Sequence, residues 1–353
     1  MTEGAGHSRA GAGPPRPRPL EPPVPSPASS SVLRVALLGG GTVGAAVARH
    51  LLQHADRYAA SLGRRPELTG VAVRDTTRVR DGIPAQLLTT DATALAEDPG
   101  TEVVVEVMGG IEPAGSLVEA ALRRGAQVVT ANKQLVARRG EELHALAREH
   151  GGGLHYEAAV MAAVPVLSVV RDSLAGDEVT AIRGIVNGST NYVLDLVARE
   201  GVSFAEAVRQ AGELGYLEAD PTEDLEGLDA AAKVAILART AWGVALPLDE
   251  VATTGISGLT DADFAAAAGR GEVLKLVADA RRDPQGRVRA RVAPTALPAS
   301  DALAQARGGT NVVEIEAVLA GTVRLSGAGA GGDQTASAVL GDLVRAAGAT
   351  RVG

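Results

Sequence analysis

Residues 32–44 read VLRVALLGGGTVG, and this stretch decides the fold. Its first seven residues form a short, almost wholly apolar run, which is typical of a strand buried on both faces. The glycines at 39, 41 and 44 then form a G-x-G-x-x-G pattern where a helical pattern begins. A strand that runs through such a pattern into a helix predicts a dinucleotide-binding turn, whereas the same glycines without that context would predict little.

Each glycine of this pattern has its own expected role in holding a dinucleotide. Gly39 permits the tight turn, Gly41 lets the pyrophosphate approach the backbone, and Gly44 lets the helix pack close to the strand. Thr42 and Val43 stand at the start of the helix, whose free N–H groups attract phosphate. We therefore expect both of them to contact the cofactor as well.

The end of the next apolar run, at residues 68–73, indicates which dinucleotide is bound. An acidic residue there would bind the ribose 2′-hydroxyl of NAD, and an arginine would bind the 2′-phosphate of NADP. The sequence offers both, as Arg74 followed by Asp75. The order favours NADP, and NAD remains the alternative.

Downstream, apolar strands alternate with helical patterns, as expected for a parallel sheet with right-handed crossovers. We predict strands at 103–107 and 127–130, and helices at 113–124 and 135–150. Ligands of such sheets gather at the carboxyl ends of the strands, where Gly109, Thr130 and Lys133 stand. Residues 32–155 are therefore expected to form a Rossmann-type α/β domain with these three residues beside the cofactor.

Beyond residue 155 the regular alternation ends, which favours a second, α+β domain over residues 156–325. We predict helices at 165–174, 192–199, 204–214 and 228–242, and strands at 179–186, 288–293 and 312–318. Residues 326–353 contain a further helical pattern, which is expected to pack back on the first domain. Residues 1–31 are rich in Pro, Gly, Ser and Ala and are expected to be disordered.

The composition of the 353-residue chain excludes several function classes. A net charge of −8 argues against a nucleic-acid partner, because phosphate contacts need clustered Lys and Arg. The chain shows neither the long apolar run of a membrane span nor the apolar core of a signal peptide, so we expect a cytoplasmic protein. It has no cysteine, which excludes aldehyde oxidation through a thiohemiacetal but leaves direct hydride transfer to a carbonyl.

Residues 211–233 carry many carboxylates and then enter an apolar helical pattern. Asp229 and Lys233 stand four residues apart and so share one face of that helix. The apolar residues around this pair indicate burial, which is costly for an ion pair unless it has a function. A lysine beside a carbonyl can supply the proton that an alkoxide needs after hydride transfer, and the aspartate can hold the lysine in place. Glu218 and Asp224 suit the α-ammonium group of an amino-acid substrate.

Several motifs, in this order along residues 32–347, are similar to those of the homoserine dehydrogenase family. The most specific of them is Asp220-Pro221-x-x-Asp224-Leu225-x-Gly227-x-Asp229-x-x-x-Lys233. The others are Val129-Thr130-Ala131-Asn132-Lys133, Tyr156-Glu157-Ala158-Ala159-Val160, Asn187-Gly188-Ser189-Thr190-Asn191-Tyr192, Gly327-Ala328-Gly329-Ala330-Gly331 and Thr335-Ala336-Ser337-Ala338.

The resemblance implies an enzyme that reversibly reduces L-aspartate 4-semialdehyde to L-homoserine with NADPH or NADH. It implies that Lys233 and Lys133 transfer the proton and polarise the carbonyl, with Asp229 in support. The cofactor contacts then include Gly329. The substrate contacts that it implies are Asn187, Gly188, Thr190, Tyr216, Glu218 and Asp224.

The resemblance also implies features beyond the reacting groups. A monovalent cation such as Na⁺ would be bound by side-chain and backbone oxygens at Glu157, Val160, Ala162 and Val164, and hard oxygen ligands suit an alkali ion. Met161-Ala162-Ala163 stands where the family has a glycine-rich turn. A homodimer is implied, and because the chain stops near where a regulatory ACT domain would begin, we expect no threonine inhibition through such a domain.

Two other functions remain open on the sequence. One is an NAD(P) oxidoreductase acting on another small amino or oxo acid, which would share the first domain and differ within residues 187–233. The other is a nucleotide-sensing module without catalysis, which would have no use for a buried Asp229–Lys233 pair. Turnover of the semialdehyde, and its loss in Lys233→Ala, discriminates between these alternatives.

Overall fold

The computed structural model describes residues 1–2 and 32–349. The predicted disorder of residues 1–31 therefore concerns a segment almost wholly outside the described residues. Two six-stranded sheets organise the described part, and the predicted fold class, a Rossmann-type sheet followed by an α+β unit, is confirmed. No helix within residues 32–349 is long and apolar enough to cross a membrane.

The first sheet is parallel throughout. It consists of β1 (Val32–Leu38), β2 (Arg65–Ala72), β3 (Leu88–Thr89), β4 (Val103–Glu106), β5 (Gln127–Thr130) and β6 (Gly153–His155). The strand order is β3-β2-β1-β4-β5-β6, so the order reverses at β1, directly before the glycine turn. Open α/β sheets bind their ligands at the carboxyl edge of such a reversal.

Helices cover both faces of this sheet. They are α1 (Thr42–Gln53), α2 (Ala55–Leu62), α3 (Ala92–Glu97), α4 (Ala114–Arg123) and α5 (Lys133–Glu149). On one face Val105 of β4 is buried in a core with Val47 of α1, whereas on the other face Val104 is buried in a core with Leu135 of α5. Alternate residues of one strand thus enter different cores, which explains why the strands read as continuous apolar runs.

The second half of the chain builds a mostly antiparallel sheet. Its strands are β7 (Val179–Ile185), β8 (Ala252–Thr253), β9 (Glu272–Arg282), β10 (Val288–Pro298), β11 (Thr310–Ala317) and β12 (Gly321–Ala328). Their order is β12-β11-β7-β9-β10-β8, and only the β8–β10 pair within the described sheet is parallel. The helices are α6 (Ala158–Met161), α7 (Val166–Ser168), α8 (Gly188–Glu200), α9 (Phe204–Glu213), α10 (Thr222–Leu225), α11 (Leu228–Trp242) and α12 (Asp261–Gly269).

Helix α11 joins the two halves of the chain. It packs on β9 and β10 of the second sheet and on α5 of the first half. Near its end the guanidinium of Arg239 donates a hydrogen bond of 2.7 Å to the carbonyl oxygen of Val136 on α5. Its residues from Asp229 to Ala238 are all buried, so the Asp229–Lys233 pair lies on a helix that is enclosed by both halves.

The last helix, α13 (Gly332–Ala349), returns to the first sheet. Its Val339 and Leu343 are fully buried in the core that contains Val47 of α1. The two helices begin side by side, since a Cβ atom on Gly332 would lie only 2.8 Å from Cγ2 of Thr42. The C-terminal segment therefore reaches the glycine turn.

The structure differs from the sequence-based prediction where partners distant in sequence decide the conformation. Strand β9 was not predicted, and it forms because it pairs along its whole length with β10. The helix predicted at 165–174 is instead the short α7 followed by a π-helical turn, Val169–Ser173. Helix α8 begins earlier than predicted, because the side chain of Asn187 accepts a hydrogen bond from the Thr190 amide and caps the helix.

Candidate active site

A cleft of about 1070 Å³ opens between the two halves, at the carboxyl ends of β4 and β5. The residues predicted from the sequence that line it are Val43, Gly109, Lys133, Val160, Ala162, Asn187, Gly188, Tyr216, Glu218, Asp224, Asp229, Lys233 and Gly329. The predicted residues that stand outside its wall are Gly39, Gly41, Thr42, Gly44, Arg74, Thr130, Glu157, Val164 and Thr190.

The glycine turn is shaped by contacts that a side chain would obstruct. Gly39 has a φ of 111°, and a Cβ atom there would lie 2.8 Å from the carbonyl oxygen of Val107. A Cβ atom on Gly44 would overlap the carbonyl oxygen of Gly39, whereas Gly41 faces open space. The turn thus packs tightly on the sheet at two glycines and leaves the third open to a ligand, an arrangement that fits a dinucleotide pyrophosphate.

The carboxylate of Asp229 is the centre of the polar wall of the cleft. Its Oδ2 lies 2.8 Å from Nζ of Lys233, and its Oδ1 lies 2.9 Å from Nζ of Lys133. The side-chain amide of Asn187 donates a third hydrogen bond of 2.7 Å to Oδ2. Burial alone would raise the pKa of Asp229, but the two ammonium groups outweigh burial and hold it below its ordinary value. Asp229 is therefore a permanent carboxylate between two cations.

The two lysines differ in their surroundings. The side chain of Lys233 is only 11% exposed and also donates a hydrogen bond of 2.8 Å to the carbonyl oxygen of Val186, whereas that of Lys133 is 35% exposed. Burial lowers the pKa of Lys133, but the attraction of Asp229, with smaller contributions from Glu223 and Asp224, raises it above its ordinary value. Lys133 is thus a cation at the edge of the cleft, and Lys233 is enclosed in its wall.

Asn187 links the cap of α8 to the carboxylates of the cleft. Its amide nitrogen donates hydrogen bonds of 2.6 Å to Asp224 and 2.7 Å to Asp229. Burial raises the pKa of Asp224, partly opposed by the bond from Asn187. Thr190 is fully buried, and its hydroxyl donates to the side chain of Asn187 at 2.9 Å. Thr190 thus supports the cap of α8 through Asn187, and its contact with substrate stays a prediction.

The aromatic residue of the wall is Tyr216, and its ring stacks on that of Tyr192, which stands outside the lining of the cleft. The rings of Tyr192 and Tyr216 lie 4.2 Å apart between centroids at an interplanar angle of 14°. The carbonyl oxygen of Tyr216 accepts a hydrogen bond of 2.6 Å from the hydroxyl of Ser189. Tyr216 and Glu218 both line the cleft, so the loop before α10 supplies an aromatic and an acidic group to it.

Glu106, at the end of β4, is a buried acid that the sequence reasoning missed. Its Oε1 accepts hydrogen bonds from the amides of Met108 (2.8 Å) and Gly109 (3.2 Å), and its Oε2 accepts one of 2.5 Å from the hydroxyl of Thr130. Burial raises its pKa despite these bonds. Thr130 therefore supports the loop after β4 through Glu106, and its direct contact with the cofactor stays a prediction. The missed signal was an acid that closes an otherwise apolar strand.

A basic side chain that was not predicted, Arg80, packs against Gly40 of the glycine turn. Arg74 is exposed and stands outside the lining of the cleft. A Cβ atom on Gly40 would lie 3.0 Å from Cδ and 3.2 Å from Nε of Arg80. The Arg80 guanidinium is held there because it donates hydrogen bonds of 2.8 Å to the carbonyl oxygens of Asp75 and Arg78.

The predicted cation-binding segment has an unusual backbone. Ala162 has a φ of 46°, the one positive value among the non-glycine residues of the described chain, so its turn is strained. The carboxylate of Glu157 already accepts hydrogen bonds of 2.8 Å from the amides of Leu167 and Ser168, and another from the Ser168 hydroxyl. Within the described residues, no cluster of three or more His, Asp or Glu side chains is arranged to hold a metal ion. A cation at this segment would therefore be bound by main-chain carbonyl oxygens, and the predicted residues fit a cation only through those oxygens.

Family models match both halves of the chain. The model described as homoserine dehydrogenase matches residues 165–344, and the one described as homoserine dehydrogenase, NAD binding domain, matches residues 39–157. The homoserine dehydrogenase of Corynebacterium glutamicum is 44% identical over 327 residues, which cover 92% of this chain and 74% of the relative.

Solved structures show the same similarity. The homoserine dehydrogenase of Thiobacillus denitrificans has a TM-score of 0.87 at 37% identity, covering 91% of this chain and 74% of that one. A hyperthermophilic archaeal homoserine dehydrogenase, solved in complex with NADPH, has a TM-score of 0.76 at 28% identity, covering 89% of this chain and 97% of that one. The similarity therefore includes both walls of the cleft.

Proposed function

The chain belongs to the homoserine dehydrogenase family, and we propose that Lys233 is its proton donor, with Lys133 and Asp229 as partners. As a member of that family, it is an NAD(P)-dependent oxidoreductase that interconverts L-aspartate 4-semialdehyde and L-homoserine. The observation that carries the proposed roles is the bridge of one buried carboxylate between two ammonium groups in the wall of the cleft.

Reduction of the aldehyde creates an alkoxide, which needs a proton and a cation beside it. An ammonium group has three N–H donors, and that of Lys233 directs two of them to Val186 and Asp229. The remaining N–H donates to the substrate oxygen and transfers its proton as the alkoxide forms. In the reverse direction, the neutral amine of Lys233 accepts the proton of the homoserine hydroxyl.

Lys133 stabilises the negative charge on the same oxygen. Its raised pKa keeps it an ammonium through the neutral range, so it acts as a fixed charge at the edge of the cleft. Asp229 orients both ammonium groups and remains charged throughout, since its own pKa is held low. The three side chains form a preorganised unit in which Asp229 and Lys133 keep their charges while Lys233 gives up its proton.

The α-ammonium group of the substrate is bound by the acidic end of the cleft. Glu218 and Asp224 supply the negative charge, and Asn187 orients Asp224 by a hydrogen bond of 2.6 Å. The backbone at Gly188 and the ring of Tyr216 complete the wall of this part of the cleft. The requirement for an amino group distinguishes this substrate from a plain oxo acid, the competing possibility among dehydrogenases of this fold.

The cofactor is held by the turn at Gly39, Gly41 and Gly44 and by the start of α1 at Thr42 and Val43. When bound, the nicotinamide dinucleotide supplies the hydride for the aldehyde carbon. The residues expected beside its nicotinamide end are Gly109, Lys133 and Gly329, all of which line the cleft.

A preference for NADP over NAD is part of the proposal. Arg74 follows the second strand of the sheet, where a 2′-phosphate is commonly recognised. Arg80 supports the same preference, because its guanidinium lies against Gly40 of the turn and is oriented by two carbonyl oxygens. A guanidinium group that packs against the turn and a second one that follows β2 favour a cofactor with an additional phosphate.

We further infer a structural Na⁺ held by main-chain carbonyl oxygens at Val160, Ala162 and Val164, beside Glu157. The left-handed turn at Ala162 supports it, because such strain persists where the conformation is functionally required. The Tm of thermal unfolding should be several degrees higher in NaCl than in choline chloride at equal ionic strength. Equal Tm values in the two salts would contradict the site.

A homodimer built on the second sheet is also inferred. One face of this sheet packs Leu276 and Val313 against helices, while the other carries ion pairs of Arg183 and Arg324 with Glu314. Sedimentation equilibrium should give twice the monomer mass, and a value of one monomer mass would contradict the dimer.

The decisive experiment compares wild type with Lys233→Met in the reduction of aspartate semialdehyde by NADPH. Loss of a general acid is expected to lower kcat by roughly 10²–10⁴-fold. NADPH should still bind, with the same change in its fluorescence on binding as in wild type. Arg199→Met, which removes an exposed cation from α8 outside the cleft, is the matched control and should keep wild-type kcat. A kcat retained by Lys233→Met would overturn the assignment.

A further inference from the structure

The chain has only three lysines against 31 arginines. Two of the lysines, Lys133 and Lys233, line the cleft. The third, Lys275 on β9, is fully buried and stands outside the lining of the cleft. In a chain that uses arginine almost everywhere else, a lysine enclosed in the interior indicates a site that requires a compact cation.

The ammonium of Lys275 is held in a buried polar network. It donates hydrogen bonds of 2.8 Å to Oδ1 of Asn191 and 2.7 Å to the carbonyl oxygen of Ala306, and it lies 3.8 Å from Oδ1 of Asp195. Burial lowers its pKa to about 8, an effect that Asp195 opposes and Arg307 reinforces. A buried cation destabilises a fold unless hydrogen bonds and opposite charges offset the loss of its hydration. The contacts that offset it here indicate that the lysine has a function.

The network holds the turn at residues 306–310 from beneath. Asn191 donates a hydrogen bond of 2.7 Å to the carbonyl oxygen of Gly308, and the amide of Gly308 donates one of 2.9 Å to Asp195. The guanidinium of Arg307 donates a third, of 3.1 Å, to Asp195. Together with the bond from Lys275 to Ala306, these contacts fix the position of the 306–310 turn.

The 306–310 turn in turn forms part of the cleft wall through Gly309. A Cβ atom on Gly309 would lie 2.7 Å from the ring of Tyr216, and a Cβ atom on Gly188 would lie 2.6 Å from the carbonyl oxygen of Gly309. The bare backbone of Gly309 thus sits between the Tyr216 ring and the start of α8. A shift of the turn would move the Tyr216 ring, because the backbone of Gly309 packs directly against that ring.

Helix α8 carries this connection along one face. Asn187, Asn191 and Asp195 are spaced by four residues and so lie in one row on the helix. Asn187 binds the carboxylates of the cleft, while the other two bind the turn and Lys275. The row therefore joins the substrate end of the cleft to the buried ammonium.

We propose that Lys275 is a positioning residue for substrate binding: through Asn191 and Asp195 it holds the 306–310 turn, and the turn seats Tyr216 against the substrate. The inference rests on the proposed placement of the substrate's polar end beside Tyr216. It assigns no contact between Lys275 and substrate or cofactor. Its effect should therefore be confined to the binding of the semialdehyde.

The test compares Lys275→Met with wild type in steady-state kinetics. The KM for aspartate semialdehyde is expected to rise about tenfold, as expected when a buried charged hydrogen-bond donor is removed, while kcat changes by less than about twofold. The KM for NADPH should be unchanged, because the network does not reach the glycine turn. Arg282→Met, which removes an exposed cation from the end of the same strand, is the control and should leave all three constants unchanged.

A second variant separates positioning from general destabilisation. In Lys275→Met with Asp195→Asn both buried charges are absent, so Tm should recover relative to Lys275→Met if that variant unfolds easily. A raised KM for the semialdehyde in the double variant, at recovered Tm, supports positioning. A wild-type KM in either folded variant, or equal increases in the KM values of both substrates, would overturn the proposal. Wild-type turnover and its loss in Lys233→Met test the proposed function separately.

Discussion

The ammonium of Lys133 lies 2.9 Å from Oδ1 of Asp229, and the two residues belong to different halves of the molecule. Lys133 is the first residue of α5, which packs beside the first sheet. Asp229 stands in the first turn of α11, which packs on the second sheet. The ion pair therefore exists only when α5 and α11 are packed together. One carboxylate thereby links the half that carries the glycine turn to the half that carries Glu218 and Asp224.

Substitution of Asp229 by Asn tests this shared carboxylate. Without the negative charge, the two ammonium groups repel each other and the pKa of Lys133 falls from its raised value. We expect kcat to fall by roughly 10²-fold or more, and the alkaline limb of the kcat–pH profile to move to lower pH. An alkaline limb at the wild-type position would show that Asp229 does not set the charge of the lysines.

Cofactor preference should depend on Arg80 as well as Arg74. Arg80→Ala is expected to lower kcat/KM for NADPH by about tenfold with little change for NADH, because only the 2′-phosphate needs the guanidinium. Arg74→Ala should also lower kcat/KM for NADPH. Arg78→Ala, in the same loop, is the control and should retain the ratio of NADPH to NADH activity. An unchanged ratio in Arg80→Ala would remove that residue from cofactor recognition, and the same result in Arg74→Ala would remove Arg74.

Glu106 is expected to act on cofactor binding through the loop after β4. Glu106→Ala leaves the amides of Met108 and Gly109 without an acceptor, which should cost about 1–3 kcal/mol in unfolding free energy and raise the KM for NADPH. Glu106→Gln should have smaller effects on the unfolding free energy and on the KM for NADPH. Its side-chain carbonyl oxygen can accept hydrogen bonds from both amides while its NH₂ group donates to Thr130. Urea unfolding and NADPH titration check both variants, and equal losses in the two would contradict the hydrogen-bond explanation.

His144 should contribute to loss of stability in acid. Burial lowers its pKa to about 4, with Arg239 adding to the effect, and its ring is hydrogen-bonded at 3.0 Å to the hydroxyl of Tyr156. The unfolded chain binds a proton at this histidine near pH 6.5, whereas the folded chain does so only near pH 4. Stability is therefore complete above the unfolded pKa and declines as the pH falls through this window.

In His144→Gln this decline should be smaller by about 1–2 kcal/mol between pH 7 and pH 4, a value reduced for partial exposure of the ring. Denaturant titrations of both proteins at several pH values measure the difference. Parallel pH dependence in the two proteins would assign the acid lability to other groups.

The fold could be predicted where local pattern decides it. Strand β1, the glycine turn and the bounds of α11 follow from apolar runs, glycine spacing and helical periodicity, all of which are readable within a few residues. Strand β9 could not be predicted, because its alternation is weak and its conformation depends on pairing with β10. Helix α8 was predicted too short, because the Asn187 cap lies in a stretch of Gly, Ser and Thr that resembles a loop.

The sequence by itself determined the chemistry of the site, since helical spacing alone brings Asp229 and Lys233 together and the apolar residues around them require burial. Only the tertiary structure decided that Lys133 completes the unit, that Thr190 and Thr130 face inward, and that Glu106, Arg80 and Lys275 stand where they do. The reason is physical: a pair within one helix is fixed by local geometry, whereas contacts between separate segments exist only after those segments have packed against each other.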